Sequence, residues 1–146
     1  MSAAFPMTAP MSVQALQAMC EGSPFIRFAG IHLRDMDAKA QSSRWRMPWR
    51  PEFERADGTG QWQGGPIAAL IDTAGCMGLI AIIGKYAGTV DLRTDYLRPA
   101  SGDHLDAVAV VRRAGRTLGV VDVDVLDSAG KLVACGRGSF FVEQPK

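Results

Sequence analysis

Gly60-Gln61-Trp62-Gln63-Gly64-Gly65-Pro66-Ile67-Ala68-Ala69-Leu70-Ile71-Asp72 carries a carboxylate into a segment that is otherwise almost wholly apolar. Gly64 and Gly65 followed by Pro66 read as a helix start, because proline is tolerated in a first turn where its missing N–H would be unpaired anyway. Downstream, Ile67, Leu70, Ile71, Ala74, Met77, Leu79, Ile80, Ile82 and Ile83 leave no broad polar face. A helix apolar nearly all round is packed by protein on most sides, so Asp72 points into an interior or an interface rather than to a wet face. A carboxylate there loses hydration and needs a hydrogen bond, a partner charge or a proton, which makes it a candidate for chemistry. At the helix start the small glycines leave the first amides accessible, and amides aligned with the helix dipole suit an anion or a polarised carbonyl oxygen.

Away from this helix the hydrophobic period changes from 3.6 to 2. Behind it, residues 89–97 set Val90, Leu92, Thr94 and Tyr96 against Asp91, Arg93 and Asp95, and three more strands are expected over 104–113, 117–126 and 131–142. Ala114-Gly115 and Asp127-Ser128-Ala129-Gly130 punctuate them as turns. Ahead of it, residues 12–21 read as a short amphipathic helix behind a Ser12 cap, with Gly22 as its stop. Residues 30–36 and 39–48 read as a hairpin turning at Asp37-Ala38, and 51–60 as a polar loop feeding the apolar helix. The order helix, two strands, long helix, four strands predicts an α+β fold, an antiparallel sheet curled around one long central helix.

The chain has 146 residues, 47% of them hydrophobic, which is enough to bury one core. Residues 1–11 read as a flexible N-terminal tail and 12–146 as a single domain. A net charge of +1 with no basic or acidic block gives no reason to expect nucleic acid or a membrane surface as partner. The apolar run around Leu79–Ile83 is too short to span a bilayer, and the N-terminus lacks the basic region of a signal peptide, so a cytoplasmic location is expected. Three cysteines without a C-x-x-C pair suit reduced thiols, with Cys76 and Cys135 as core filler. His32 and His104 have no ligand spacing around them, so no metal is expected. No G-x-S-x-G elbow is present.

Several pieces in order carry a resemblance: Gln63-Gly64-Gly65, Ala69-Leu70-Ile71-Asp72, Thr89-Val90-Asp91-Leu92, Tyr96-Leu97-Arg98-Pro99-Ala100, Gly115-Arg116 and Gly130-Lys131-Leu132-Val133-Ala134-Cys135-Gly136. From about residue 30 to 142 the chain resembles the hotdog-fold thioesterases of the phenylacetic-acid-degradation (PaaI-like) type. The resemblance implies a homodimer or dimer of dimers that hydrolyses acyl-coenzyme A thioesters, with no cofactor beyond the coenzyme A of the substrate. Geometry adds a constraint, since Gly64 and Asp72 lie roughly 12 Å apart along one helix, too far for both to touch one thioester. The resemblance implies that the Gly64 amide of one subunit polarises the carbonyl while Asp72 of the other is nucleophile or general base. It also places a hydroxyl near this carboxylate, at Thr89, a residue that equally reads as a packing β-branched strand position.

The chain departs from the family pattern twice. Gln63 stands where a His is usual, and an amide donates a hydrogen bond without titrating. Asp57 stands where several relatives carry Asn, and a carboxylate accepts only. Gly65, Arg98 and Arg116 are the remaining binding candidates, the arginines for coenzyme A phosphates. Trp45, Trp49 and Trp62 are available either to line an acyl pocket or to fill core. The departures keep open a non-catalytic module that binds an acyl thioester or fatty acyl ligand. A hydratase on the same fold would want a His paired with an acid, and none lies near Gly64.

Overall fold

The computed structural model describes residues 9–144. Two short helices, α1 (Val13–Gly22) and α2 (Pro24–Ala29), lead into the hairpin β1 (His32–Asp37) and β2 (Ser42–Pro48). The long helix α3 (Gly64–Ile83) follows, then β3 (Ala87–Tyr96), β4 (His104–Ala114), β5 (Leu118–Asp127) and β6 (Leu132–Val142). All six strands form one antiparallel sheet in the order β1-β2-β4-β5-β6-β3, so β3 crosses over to become an outer edge. Most of the expected tail falls on residues 1–8, outside the described residues. Its last residue is tied down, since the Met11 N–H donates to Ala81 O at 2.9 Å.

The sheet's inward rows are apolar and its outward rows charged, as a period of 2 requires. Ala107, Ala109, Val121, Val123 and Val125 face α3, while Asp122 and Asp124 face out and Asp122 pairs with Arg112 and Arg137. Trp45 is fully buried, and its indole N–H donates to Ser43 Oγ at 2.9 Å, so the one buried polar side chain among the described residues is satisfied. Helix and sheet approach closely because α3 is notched: a Cβ on Gly78 would lie 2.9 Å from Ser43 Oγ, and one on Gly75 would lie 3.0 Å from the Phe140 ring. The uninterrupted apolar stretch is longer than the run around Leu79–Ile83. An 18-residue window of the 20-residue α3 has a mean hydropathy of 2.0, enough by length and composition to cross a bilayer, and the sheet wraps this helix as a core.

Three local expectations are corrected. Residue 30 does not start a strand: Gly30 ends α2 in the left-handed region with φ 72°, and β1 begins at His32. Six residues are under two turns, too few for a 3.6-residue period to show, although Ser23 and Pro24 mark the start with a side-chain cap and a first-turn proline. The hairpin turn is longer than Asp37-Ala38 and includes Gln41 at φ 52°, with Asp37 Oδ1 accepting from the Ala40 N–H at 3.0 Å. Most consequential is β3, where pairing with β6 slips between Thr89 and Asp91, leaving Val90 as one extra bulged residue.

Candidate active site

The entrance to α3 is held by aromatic packing and backbone bonds. Trp62 packs edge-on to Trp49 at 5.1 Å and stacks on Phe53 at 5.8 Å, while its indole N–H donates to Gly102 O at 3.3 Å. Backbone bonds from Trp62 N–H to Ala100 O and from Gln63 N–H to Phe53 O fix the last residues before the helix. Gln63 is the helix cap, and its side-chain carbonyl accepts from the Gly65 N–H. That corrects the expectation that both glycine amides stand open. Gly65 is engaged, Pro66 has no N–H, and the Gly64 N–H donates to no group among the described residues. One accessible donor therefore remains on the backbone at the positive end of a 20-residue helix.

Over this donor lies a residue the sequence did not single out. The Tyr96 hydroxyl, at the end of β3, donates to Gly64 O at 2.6 Å.

Asp72 sits two turns further along α3, half-buried rather than enclosed. Thr89 Oγ1 donates to Asp72 Oδ1 at 2.6 Å, so the hydroxyl is bonded to the carboxylate and does not merely pack. The Val90 bulge makes this contact possible. In a regular strand Thr89 would share a face with Asp91 and Arg93; the extra residue flips the alternation, so that Thr89 and Tyr96, seven positions apart, both reach α3. Asp72 and Thr89 lie at the edge of a cavity of about 420 Å³ whose apolar lining includes Met19, Phe25, Ile26 and Met77. Cys76, one turn on, also lines it. Burial first, and the Asp72 charge second, push its thiol up to about 12, which leaves it protonated and inert at neutral pH.

Other candidates lie apart from this pair. Asp57 is exposed at the tip of the loop ahead of α3, in a turn closed by Thr59 N–H to Ala56 O, and no bond joins it to Gln63 or Asp72 among the described residues. Arg98 is exposed just past Tyr96, whereas Arg116 lies in the β4–β5 turn, where its carbonyl accepts from Gln144. These arginines flank opposite ends of the sheet, and one chain does not bring them together. The tryptophans line no part of the Asp72 cavity: Trp45 is core, and Trp49 and Trp62 brace the helix entrance. Among the described residues no three His, Cys, Asp or Glu side chains are grouped as a metal would need.

A profile of the thioesterase superfamily matches residues 60–134, which span the helix entrance, Gly64, Asp72 and Thr89. The chain belongs to the thioesterase superfamily. It is 36% identical over 138 residues to a Halobacterium salinarum protein named as a candidate esterase, covering 87% of this chain and 89% of that one. A shorter match, 34% identical over 55 residues, links 38% of this thioesterase-superfamily chain to 36% of the Escherichia coli medium/long-chain acyl-CoA thioesterase YigI. The E. coli PaaI protein of the phenylacetic acid degradation operon superposes with a TM-score of 0.79 at 27% identity, covering 91% of this chain and 94% of its own. The expected hotdog architecture is thereby established, and the family's general chemistry is thioester hydrolysis.

Proposed function

We propose that this thioesterase-superfamily chain hydrolyses an acyl- or aryl-coenzyme A thioester to the free acid and coenzyme A, in sites shared between two copies of the chain. The observation that carries the reading is an unpartnered Gly64 amide and a Thr89-bound Asp72 carboxylate on one helix, roughly 12 Å apart along the axis. Two features favour a second copy as the missing half. β3 is a ten-residue edge strand with Val90 63% exposed and no proline before Pro99, so its free N–H and C=O groups suit pairing with another strand. On α3 the stripe not covered by the sheet is Gly65, Ala68, Ala69, Asp72, Thr73 and Cys76, all small or polar, which permits a close approach of two helices. A two-fold axis crossing antiparallel helices near Ala68 sets Gly64 of each opposite Asp72 of the other.

In such a site the thioester carbonyl oxygen accepts from the Gly64 N–H, which stabilises the charge that develops when the carbonyl carbon is attacked. As general base Asp72 takes a proton from the water that attacks this carbon, and collapse breaks the carbon–sulfur bond with that proton passing to the coenzyme A thiolate. As nucleophile it attacks the carbon itself, expels the thiolate and forms an acyl–aspartyl anhydride, which water then hydrolyses to the free acid and the restored carboxylate, its proton going to the thiolate. Thr89 holds Asp72 Oδ1 and so turns the other oxygen towards the substrate. Arg98 and Arg116 are the cations assigned to coenzyme A phosphates.

The test is thiol release from short, medium, long and aromatic acyl-coenzyme A thioesters by the purified chain, with release from at least one class expected. Binding without release from any of them would replace this reading with the non-catalytic acyl-thioester module. Thr89→Val, which keeps the shape and removes the hydroxyl, is expected to lower kcat by about tenfold, and Thr89→Ser to restore most of it. Equal rates for Thr89→Val and the parent would remove the hydroxyl from the mechanism.

A further inference from the structure

Tyr96 is 53% exposed, yet both its ring and its hydroxyl are engaged at the start of α3. Its hydroxyl gives the Gly64 carbonyl a donor at 2.6 Å, although helix geometry already supplies that carbonyl with the Ala68 N–H. Its ring occupies the place of a Gly64 side chain: a Cβ there would lie 3.1 Å from both the ring carbon Cζ and the hydroxyl oxygen. Gly64 and Gly65 are the residue type with the most backbone freedom, placed where the oxyanion donor must not move. The peptide between them is held at both poles, its C=O by Tyr96 and its N–H by the Gln63 side-chain carbonyl.

We propose that Tyr96 is a positioning residue for the oxyanion site: it locks the Gly64–Gly65 peptide, and with it the open Gly64 N–H and the Gln63 side chain. A bond to a peptide's carbonyl polarises its N–H, so the Tyr96 bond strengthens the one from Gly65 to Gln63. With its carbonyl oxygen pinned, Gln63 presents its Nε2 donors, which have no partner among the described residues, as a second source of hydrogen bonds. Gln63 thereby does without titration what the cap position asks, so the oxyanion site depends on Tyr96 rather than on a protonated ring. The inference rests on the reading of Gly64 as the oxyanion donor.

The test is Tyr96→Phe, which keeps the ring over Gly64 and removes only the hydroxyl. Expected are a fall in kcat of about tenfold with KM within about twofold, and faster hydrogen exchange at the Gly65 amide by NMR. A purely structural tyrosine would instead lower the melting temperature and raise KM along with the loss of rate, and that pattern overturns the proposal. Unchanged kcat in Tyr96→Phe beside an active parent overturns it too. If the parent releases no thiol from any thioester, the functional reading of Gly64 fails on its own, and the clamp is then decided by exchange: an unchanged Gly65 rate in Tyr96→Phe overturns it.

Discussion

Asp72→Asn is expected to fold, to associate as the parent does and to lose about two or more orders of magnitude in kcat. The substitution is close to isosteric, and an amide oxygen can still accept the Thr89 hydroxyl that now bonds Asp72 Oδ1 at 2.6 Å. Only the charge and the ability to take a proton or attack a carbonyl are removed. Asp72 is half-buried at the edge of a cavity, with no cation bonded to it among the described residues, so losing its charge strands no buried partner. Stability should therefore change little while chemistry stops. Asp72→Ala, which also frees Thr89, separates the two contributions: an Asn variant with near-parental turnover would show that the carboxylate does not carry the reaction, whatever Ala does.

Mixing Asp72→Asn with Gly64→Pro, each inactive alone, is expected to restore about a quarter of the parental sites. With random exchange about half the dimers are mixed, and two-fold symmetry gives each mixed dimer one site with both groups intact and one with neither. Gly64→Pro suits the purpose for local reasons. Gly64 is the first helical residue, where proline is favoured, and its N–H has no partner in the chain to lose. The preceding Gln63 has φ −72° and ψ 149°, the extended conformation a residue before proline prefers. Tyr96 must give way slightly, since a Cβ at 64 meets its ring at 3.1 Å. Circular dichroism and light scattering of both parents establish that they fold and assemble. If they do, and exchange subunits, a mixture that stays inactive rules out a shared site.

Periodicity carried most of the architecture. Alternation over β4, β5 and β6 and the apolar run of α3 were each long enough to read, and a sheet around that helix is the arrangement that covers both. The site was less legible, for reasons that can be named. The apolar pattern of α3 shows which faces want cover but not which stripe stays bare, because Gly65, Ala68 and Ala69 are small enough to read as core; hence interior and interface both stayed open for Asp72, which lies half-buried on the bare stripe. Gln63 is outside the usual set of capping residues, so its hold on the Gly65 amide carried no signal. Thr89 was found by resemblance, whereas strict alternation would have put it on the outer face of the sheet with Asp91, and nothing in Thr89-Val90-Asp91 announces the bulge. Tyr96 was seen as one more residue of an alternating strand, when its partner is a carbonyl 32 positions earlier in the chain.

Because the single unpaired residue at Val90 reverses the phase of β3, Thr89 reaches the middle of α3 and Tyr96 its start from one strand face only so long as the interval between them, seven positions, stays odd. The strand thus stores part of the site as a number rather than as a composition. Exchanges of one side chain for another at 90 to 95 leave that number untouched. Gain or loss of one residue swings either the hydroxyl at Asp72 or the phenol at Gly64 to the far side of the sheet, so in this lineage the interval between Thr89 and Tyr96 should vary in spelling but not in length.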